Sequence, residues 1–484
     1  MKRIAARYIL LSLCLFSIFP VHAGDNDIID IGSRLELFVD HYMIDEMNGV
    51  SLQLHHPREE GIALKFDKPW EGEFSAYITV LRDSALYRMY YRGFEDTPGA
   101  PLKSAVVCYA ESRDGIQWVK PELGIRQVSG SYVNNVIWSD EYPVCHNFSP
   151  FIDEKPGIPA SERYKAIAGT EKSGLIAFVS GDGLHWKKLR EEPVITKGMF
   201  DSQNVAFWSE HEECYACYFR SWTGDGYTGF RTISRTTSKD FINWSDPVAM
   251  TFGDTQMEHL YTNATQPYFR APHIYLAMPK RFFPDKAAFP DSIGATLVEN
   301  PKYRIASSDA VLMSSRGGNS YNRTFMEAFI RPGSTPRDWI ARDNTPALGI
   351  VEGSPETIFI YRLSHYAQPT SHARLYSIRT DGFVSVHAPY SGGELITKTF
   401  RFNGNKLHLN VDSSPAGGIR VEVQDASGKP IPGYSLEDCP EFIGNDISRI
   451  VTWNNGAGVS ALAGKPVRLR FVMRDADLYA FRFH

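Results

Sequence analysis

The sequence predicts an all-β protein in which a five-bladed β-propeller is followed by a C-terminal β-sandwich. Three observations favour this class. A short turn motif recurs at intervals of roughly 65 residues, as repeated supersecondary units do. Aromatic residues and turn formers are abundant, with 29 Phe, 24 Tyr and 9 Trp beside 38 Gly and 29 Pro, which suits strands joined by tight turns. The C-terminal segment alternates apolar and polar side chains along long strands.

The composition excludes several classes of protein. With 43% apolar and 22% charged residues, the chain of 484 residues is neither disordered, nor collagen-like, nor a coiled coil. The net charge of −5 and the lack of a basic block argue against nucleic acid as a partner. A neutral or weakly cationic ligand remains compatible with this composition.

Residues 1–23 are predicted to be a secretory signal peptide. Lys2 and Arg3 open a basic segment, an apolar run covers residues 8–19, and Ala23 ends a small-residue cleavage site. The apolar run is too short to span a membrane, and no later stretch is long enough. We therefore expect the mature protein to be periplasmic or secreted, without a membrane anchor.

Five cysteines follow that segment, and their spacing is not typical of a disulfide framework. Cys214 and Cys217 form a C-x-x-C pair, but they lie in a strand-like run where residues three apart face opposite sides. We therefore predict buried structural thiols rather than a zinc or redox site. No cofactor is predicted, and a structural calcium ion is left open because no ligand spacing is diagnostic.

The turn motif supplies the architecture of the first domain. It reads Ser-x-Asp-x-x-x-Trp at 112–118, 180–186 and 238–244, with weaker copies at 315–321 and 379–383. An Asp-Gly pair closes a tight hairpin, because Gly accepts a positive φ and Asp bonds its own backbone. The Trp begins the next strand, and its ring is expected to pack within the blade. Five copies fit five four-stranded blades around an axis, with five unrelated hairpins in a sandwich as the alternative.

The two domains are predicted to meet near residue 393. Residues 24–393 form the propeller, which is the catalytic domain. Residues 394–484 contain long alternating segments of the kind found in an antiparallel sandwich with one face on its core. The chain ends in a strand, so we expect this domain to pack on the propeller.

Three carboxylates are the candidate catalytic residues. Asp40, Asp201 and Glu258 each interrupt or adjoin an apolar strand, at positions that the repeat assigns to the first, third and fourth blades. Burying a carboxylate requires a partner or a function. Asp45 is the alternative to Asp40. Taken singly, Asp40 could cap a turn, Asp201 could start an Asx-turn into the next strand, and Glu258 could pair with Arg270.

Further polar residues within apolar strands are candidate substrate-binding residues. They are His146, Asn147, Asn204, His259, Asn263, Arg270, His273, Asp309 and Arg316. His273 is also an alternative acid, and Asp309 could replace Asp201 or Glu258. Arg270 could orient a carboxylate or bind an anionic sugar through its forked donors.

The order of these acids resembles the five-bladed β-propeller glycoside hydrolases of families 32, 43, 68 and 117. The resemblance implies that Asp40 is the nucleophile or base, Asp201 a transition-state stabiliser and Glu258 the acid. His41 follows Asp40 where many relatives have Pro, and neither the W-x-N-D-P-N-G signature nor an Arg-Asp-Pro triplet is present. No single family is therefore assigned.

The predicted function is a secreted glycoside hydrolase that cleaves an oligosaccharide or polysaccharide by carboxylate acid/base chemistry in a pocket on the propeller axis. The alternatives are a non-catalytic glycan-binding propeller and a sialidase-like hydrolase, whose Asp-containing hairpins are similar. Motifs of serine hydrolases, nucleotide-binding proteins and HExxH zinc proteases are absent from the sequence.

Overall fold

The computed structural model describes residues 28–94, 105–456 and 458–484, and strands dominate them. The predicted all-β class is confirmed. The described helical segments are short and consist of Tyr142–Asn147, Asp291–Gly294, Ala160–Glu162, Pro301–Tyr303, Pro336–Trp339 and Ser460–Leu462. The predicted signal peptide lies outside the described residues.

Three successive sheets lie between residues 76 and 249, each with four antiparallel strands. Sheet 1 contains Ala76–Asp83, Leu86–Gly93, Val106–Ser112 and Val136–Trp138. Sheet 2 contains Ser149–Ile152, Tyr164–Thr170, Gly174–Ser180 and Lys187–Lys188. Sheet 3 contains Val205–Ser209, Cys214–Trp222, Arg231–Ser238 and Val248–Ala249.

Two further sheets complete this part of the chain. Sheet 4 is divided into Gln266–Tyr268, Ala271–Ala277 and Met313–Ser315 on one side and His259–Leu260, Lys280–Phe283 and Ser307–Ala310 on the other. Sheet 5 contains Thr345–Ser354, Thr357–Ser364 and His372–Arg379, and its fourth strand is the early segment Arg58–Lys65. Sheets 5 and 1 meet through a parallel bridge between Leu348 and Thr79.

Apolar side chains fill the space between consecutive sheets. Tyr164, Ala166 and Ala168 face sheet 1, whereas Ile167 between them faces sheet 3. This alternation follows from the two-residue period of a strand. Separate clusters lie between sheets 1 and 2, 2 and 3, 3 and 4, 4 and 5, and 5 and 1. The middle strands of sheet 2 are therefore buried on both faces.

The predicted turn chemistry is confirmed at the three strong copies of the motif. In the second copy, Asp182 Oδ1 accepts hydrogen bonds from the backbone N–H groups of Leu184 and His185 at 2.9 and 2.8 Å. Gly183 has φ of +77°, and the Nε1–H of Trp186 donates to its carbonyl at 2.9 Å. The copies beginning at residues 112 and 238 repeat these bonds, although Phe241 occupies the glycine position of the latter.

Each motif packs against the sheet that precedes its own. The hydroxyl of Tyr361 in sheet 5 donates to the carbonyl of Gly115 at 2.6 Å, and Tyr90 in sheet 1 donates to Gly183 at 3.0 Å. Phe241 packs on Phe151 of sheet 2 with ring centroids 5.6 Å apart. The motifs therefore join neighbouring sheets as well as closing hairpins.

A ten-stranded sheet, the terminal sheet, combines strands from both ends of the chain. It contains Ile29–Gly32, Glu36–Leu37, Ile44–Asn48, Ser51–Leu54, Val384–Ala388, Gly393–Thr397, Phe400–Phe402, Leu407–Asp425, Asn445–Ile450 and Val467–Phe483. The placement of residues 28–54 in the first sequence domain is therefore wrong, because these strands pair with C-terminal ones. Apolar side chains of the terminal sheet pack on sheets 4 and 5.

All five described cysteines are buried and unpaired, as predicted. In the described ranges, no three His, Cys, Asp or Glu side chains form a group that could hold a metal ion. No helix among the described residues has the length and apolar character needed to cross a membrane.

Candidate functional site

A cavity of about 70 Å³ lies where the first strands of the five sheets begin, and we call it the axial cavity. Its lining comes from every sheet or the segment just before it: Ala76, Tyr77, Arg92, His146, Asp201, Tyr261, Lys280, Arg342, Thr345, Leu363 and Tyr366. Tyr77 and Arg342 have φ of +54° and +66°. Such strained backbone in residues other than glycine clusters at functional sites.

Two buried amides fix the loop that carries Asp201. Asn147 Nδ2 donates to the carbonyls of Phe200 and Ser202, both at 2.7 Å. Asn204 Nδ2 donates to the same two carbonyls at 3.1 Å. The backbone is therefore held on both sides of Asp201. Asn147 and Asn204, predicted to bind substrate, lie behind this loop and position its carboxylate.

His146 is a neutral hydrogen-bond donor to Asp201. Arg92 Nη1 lies 3.2 Å from His146 Nδ1, and a guanidinium can only donate, so Nδ1 is the acceptor. The ring proton is therefore on Nε2, which donates to Asp201 Oδ1 at 2.8 Å. Burial, followed by the charge of Arg92, lowers the pKa of His146 despite the hydrogen bond to Asp201, which agrees with a neutral ring.

Asp201 is held in its ionised form. Burial raises the pKa of its carboxyl, but the hydrogen bond from His146 and the charges of Arg220 and Arg342 outweigh that effect, so the pKa lies below its ordinary value. Half of the side chain is accessible to solvent. The carboxylate can therefore meet a ligand while charged.

Glu171 is a second carboxylate at the same place, and the sequence analysis missed it. Its Oε1 accepts from the backbone N–H of Asp201 at 2.9 Å. Arg220 Nη2 lies 3.9 Å from Glu171 Oε1 and 3.8 Å from Asp201 Oδ2. Because Arg220 Nη2 lies near both oxygens, Glu171 Oε1 and Asp201 Oδ2 are at most about 8 Å apart. The carboxyl pairs of glycosidases are separated by distances up to this range. Glu171 lies in a polar turn, where a glutamate is common and therefore does not indicate a functional residue.

Cations surround the ring of Tyr261 in the cavity. Lys280 Nζ lies 4.4 Å from the ring centroid, and the guanidinium carbons of Arg220, Arg231 and Arg342 lie at 5.2, 5.4 and 6.0 Å. Burial and then the charge of Arg342 lower the pKa of Lys280 well below its ordinary value. The cavity is thus aromatic and strongly cationic.

Exposed aromatic side chains lie beside the cavity. Tyr227 is 58% exposed and Phe230 is 40% exposed. Burial and the charge of Glu171 raise the pKa of the Tyr227 hydroxyl, which places this ring close to the carboxylate pair. Trp222 packs against Tyr227 with ring centroids 5.9 Å apart. An apolar ring surface is therefore available at the edge of the site.

Asp40 does not line the axial cavity. The prediction that Asp40 lies on the innermost strand of the first sheet is wrong. It follows the strand Glu36–Leu37 of the terminal sheet, and its Oδ2 pairs with Arg316 Nε at 3.2 Å. Arg316 Nη1 also binds the fully buried Glu36 at 2.8 Å, and His273 Nε2 lies 3.1 Å from the other oxygen of Glu36. Arg316 and His273 therefore belong to this group, the Glu36 cluster, which joins sheet 4 to the terminal sheet.

Glu258 and Asp309 lie in another ion cluster. Arg281 Nη1 donates to Glu258 at 3.1 Å, and Arg323 Nη2 donates at 2.6 Å. Arg281 also binds both oxygens of Asp309, at 2.9 and 2.6 Å. Lys280 points into the axial cavity, and successive strand residues face opposite sides, so its neighbour Arg281 points away. The structure therefore does not bring Glu258 or Asp309 to Asp201.

The remaining candidates lie apart from the carboxylate pair. Arg270 Nε donates to Asp381 of the fifth turn motif at 2.9 Å. Asp45 pairs with an arginine of the terminal sheet. The amide of Asn263 donates to a backbone carbonyl of sheet 3 at 3.3 Å. His259 accepts a 3.1 Å hydrogen bond from the backbone N–H of the first residue of a strand in sheet 3. His259 therefore lies next to the cavity and does not line it.

The sequence contained a signal for some of the residues that were missed. Arg92 and Lys280 interrupt apolar strands in the same way as the candidate acids do. Tyr77 and Tyr261 carried no signal, since the chain has 24 Tyr and many of them pack between sheets.

Comparisons with known proteins assign no family to this chain. No family model matches it. The uncharacterized protein Rv1502 of Mycobacterium tuberculosis is 27% identical over 166 residues, which are 32% of this chain and 48% of that protein. The chain therefore spans about half the length of the curated relative that it matches.

Glycoside hydrolases are among the solved structures to which the chain is similar. One described as a glycoside hydrolase has a TM-score of 0.46 at 11% identity, over 67% of this chain and 92% of that one. A fructofuranosidase from Schwanniomyces occidentalis complexed with fructosylnystose has 0.39 at 11%, over 87% and 97%. An N-acetylgalactosamine deacetylase from F. plautii in complex with blood group B trisaccharide has 0.42 at 14%, over 74% and 95%. Likenesses at these values carry no conclusion about activity.

Proposed function

We propose that this chain is a glycoside hydrolase whose active site is the axial cavity, at one end of a five-bladed propeller that carries a β-sandwich. The five apolar layers between consecutive sheets support the propeller, because the last layer returns to sheet 1. The strand Arg58–Lys65 supports it too, since it ties an early segment into sheet 5. The terminal sheet has a hydrophobic core of its own, which supports a separate sandwich.

A second cavity also supports a common axis for the five sheets. Its lining includes residues from the first strand of every sheet: Val80, Leu81, Phe151, Ile152, Ala206, Phe207, Gln266, Pro267, Leu348 and Ile350. The axial cavity is lined near the beginnings of these strands and the second cavity farther along them. Ligand sites commonly form where the elements of such a fold converge.

The observation that carries the proposal is the pair formed by Asp201 and Glu171. Glycoside hydrolysis requires two carboxyl groups that flank the scissile bond. Asp201, which is ionised, acts on the anomeric carbon or on the attacking water. Glu171 gives the proton to the leaving oxygen. His146 and Arg92 are positioning residues, because they orient Asp201 and keep it charged.

The surroundings of the pair suit a sugar. The rings of Tyr227 and Phe230 offer apolar faces to a pyranose or furanose ring at the mouth, and the buried polar groups inside offer donors to hydroxyls. We also propose that the enzyme acts in the periplasm or outside the cell, on the basis of the sequence of residues 1–23.

The test is a screen of the purified protein on aryl-glycosides and on plant and algal oligosaccharides, with product analysis by chromatography. We expect at least one substrate to be cleaved, and Asp201→Asn to retain glycan binding while turnover falls by about a thousandfold. Binding without turnover in both proteins would identify a glycan-binding module instead. Neither binding nor turnover on any glycan contradicts the proposal altogether.

A further inference from the structure

The axial cavity and its immediate surroundings hold more positive than negative charge. Five cationic side chains line or adjoin it: Arg92, Arg220, Arg231, Lys280 and Arg342. The carboxylates among the same described residues are Asp201 and Glu171. His146 is neutral and adds no charge. Because the pKa of Lys280 is lowered well below its ordinary value, only the four arginines are set against the two carboxylates. They leave an excess of about two positive charges near one another, where their repulsion is poorly screened.

Most of these cations have neutral partners. Lys280 Nζ donates to the carbonyl of Arg342 at 3.1 Å and to Thr345 Oγ1 at 2.8 Å. Arg92 donates to a backbone carbonyl at 2.7 Å and to His146. Among these five side chains, only Arg220 forms ion pairs with carboxylates in the described part of the chain. Its N···O distances are long, at 3.9 and 3.8 Å.

Two guanidinium donors in this group have no acceptor. The Nε atoms of Arg220 and Arg231 are buried and have no hydrogen-bond partner among the described residues. A buried donor without an acceptor costs about 1–3 kcal/mol, and more when the group is charged. Arg220 as a whole is only 4% exposed, so solvent does not compensate it.

One more acid lies behind the cavity but does not balance it. Asp343 is fully buried, and burial raises the pKa of its carboxyl to about 6 even though the charge of Arg362 lowers it. Its Oδ2 has no hydrogen-bond partner among the described residues. At neutral pH this carboxyl is mostly ionised, so it offsets about one of the positive charges and leaves an excess of about one for a ligand.

We infer that the substrate bound in the axial cavity is an anionic glycan, whose bound sugar carries a carboxylate or a sulfate group. The inference deepens the proposed function and rests on it. The planar forks of Arg231 and Arg342 match the oxygens of either anion. A cavity of about 70 Å³ limits the enclosed part to the anionic group and the sugar atoms next to it. The exposed rings at the mouth remain free to stack on the next unit.

The experiment compares matched ligands by calorimetric titration of the full chain. The probes are glucose, glucuronic acid, glucose 6-sulfate and inorganic sulfate, so that uronate and sulfate ester are distinguished from each other and from the free anion. The variants are Arg342→Gln and Arg231→Gln. Arg58→Gln is the control, because that side chain is 79% exposed on the outer strand of sheet 5.

We expect at least one anionic sugar to bind about tenfold or more tightly than glucose. Either cavity variant should weaken the binding of the anionic sugar at least tenfold more than that of glucose, whereas Arg58→Gln should preserve the preference. Equal binding of glucose and both anionic sugars overturns the inference, as does an equal loss for all sugars in the cavity variants.

Failure of the inference can be told apart from failure of the proposed function by following hydrolysis in parallel. Asp201-dependent cleavage of neutral oligosaccharides without any preference for anionic ones overturns only the anionic substrate. A clear anionic preference in binding, with no cleavage of uronate-containing, sulfated or neutral oligosaccharides, overturns the glycoside hydrolase and leaves an anionic sugar-binding site.

Discussion

His146 Nε2 donates a 2.8 Å hydrogen bond to Asp201 Oδ1, and this contact determines the charge of the carboxylate. Because Arg92 occupies the other ring nitrogen, His146 can only donate to Asp201. Glu171 and several cations lie around that carboxylate. This arrangement leads to predictions on acidity, proton transfer and stability.

Replacing His146 by Phe should move the acidic limb of the pH profile to higher pH. Burial alone raises the pKa of Asp201, and His146 is the largest influence that lowers it. Without that hydrogen bond the carboxylate becomes protonated at a higher pH, so activity that requires the ionised form is lost earlier on acidification. The measurement is kcat/KM between about pH 3 and pH 8. His185→Phe, in which an exposed histidine is replaced, should leave the limb in place. An unshifted limb in His146→Phe contradicts the role given to this contact.

Replacing Glu171 by Gln should slow the cleavage of substrates with poor leaving groups by about 10²–10⁴-fold, because those require a proton from the enzyme. The cleavage of aryl-glycosides with acidic phenol leaving groups should slow far less. The comparison of the two substrate series by initial rates checks this expectation. If both series slow equally, Glu171 is not the proton donor.

The Glu36 cluster should contribute strongly to stability. Burial raises the pKa of Glu36, but the hydrogen bond from His273 and the charges of Arg316 and Arg34 bring it down to about 2. Since the folded pKa lies below the ordinary value of 4.5, the stabilisation is present above pH 4.5 and is lost as the pH falls towards 2.

Glu36→Gln should therefore lower the free energy of unfolding by about 3 kcal/mol at neutral pH, because it removes one of the two buried carboxylates that pair with Arg316 and the charged partner of His273. Urea unfolding at pH 7 and pH 3 measures this, and the difference from the wild type should shrink at the lower pH. Glu46→Gln, at an exposed position of the same sheet, is the control. Equal stability of Glu36→Gln and the wild type at pH 7 would show that the cluster is not stabilising.

Asp182→Ala should destabilise the protein by about 1–2 kcal/mol. Two backbone N–H groups of the tight turn donate to the Asp182 side chain, and they lose this acceptor in the variant. The turn also packs on sheet 1, so loosening it should weaken the contact between sheets. Urea unfolding provides the measurement, with the exposed Glu191→Ala as control. A change no larger than that of the control would argue that the motif is dispensable.

The sequence predicted the parts of the fold that depend on local chemistry. The Asp-Gly motif specifies its own turn through short-range hydrogen bonds, so Asp114 and Asp182 could be interpreted without knowing their neighbours. The all-β class and the buried thiols followed from composition and alternation in the same way. None of these inferences required the order of the sheets in space.

The candidate site was only partly predictable, because strand alternation does not say which sheet a strand joins. Asp40 follows an alternating segment that fits any half-buried strand, and it belongs to the terminal sheet. Glu258 has apolar neighbours, but its partners Arg281 and Arg323 are distant in sequence. His146 and Asp201 were found because a polar group among apolar residues requires a partner, and here each is the partner of the other.

The most direct test of the axial cavity as the active site compares kcat/KM for Asp201→Asn and Glu258→Gln on one cleaved glycan, with melting temperatures measured for both. The structure predicts a loss of about a thousandfold for Asp201→Asn and a change within about threefold for Glu258→Gln, since only the first carboxylate faces the cavity. Full activity in Asp201→Asn, or a thousandfold loss in a folded Glu258→Gln, would contradict this account.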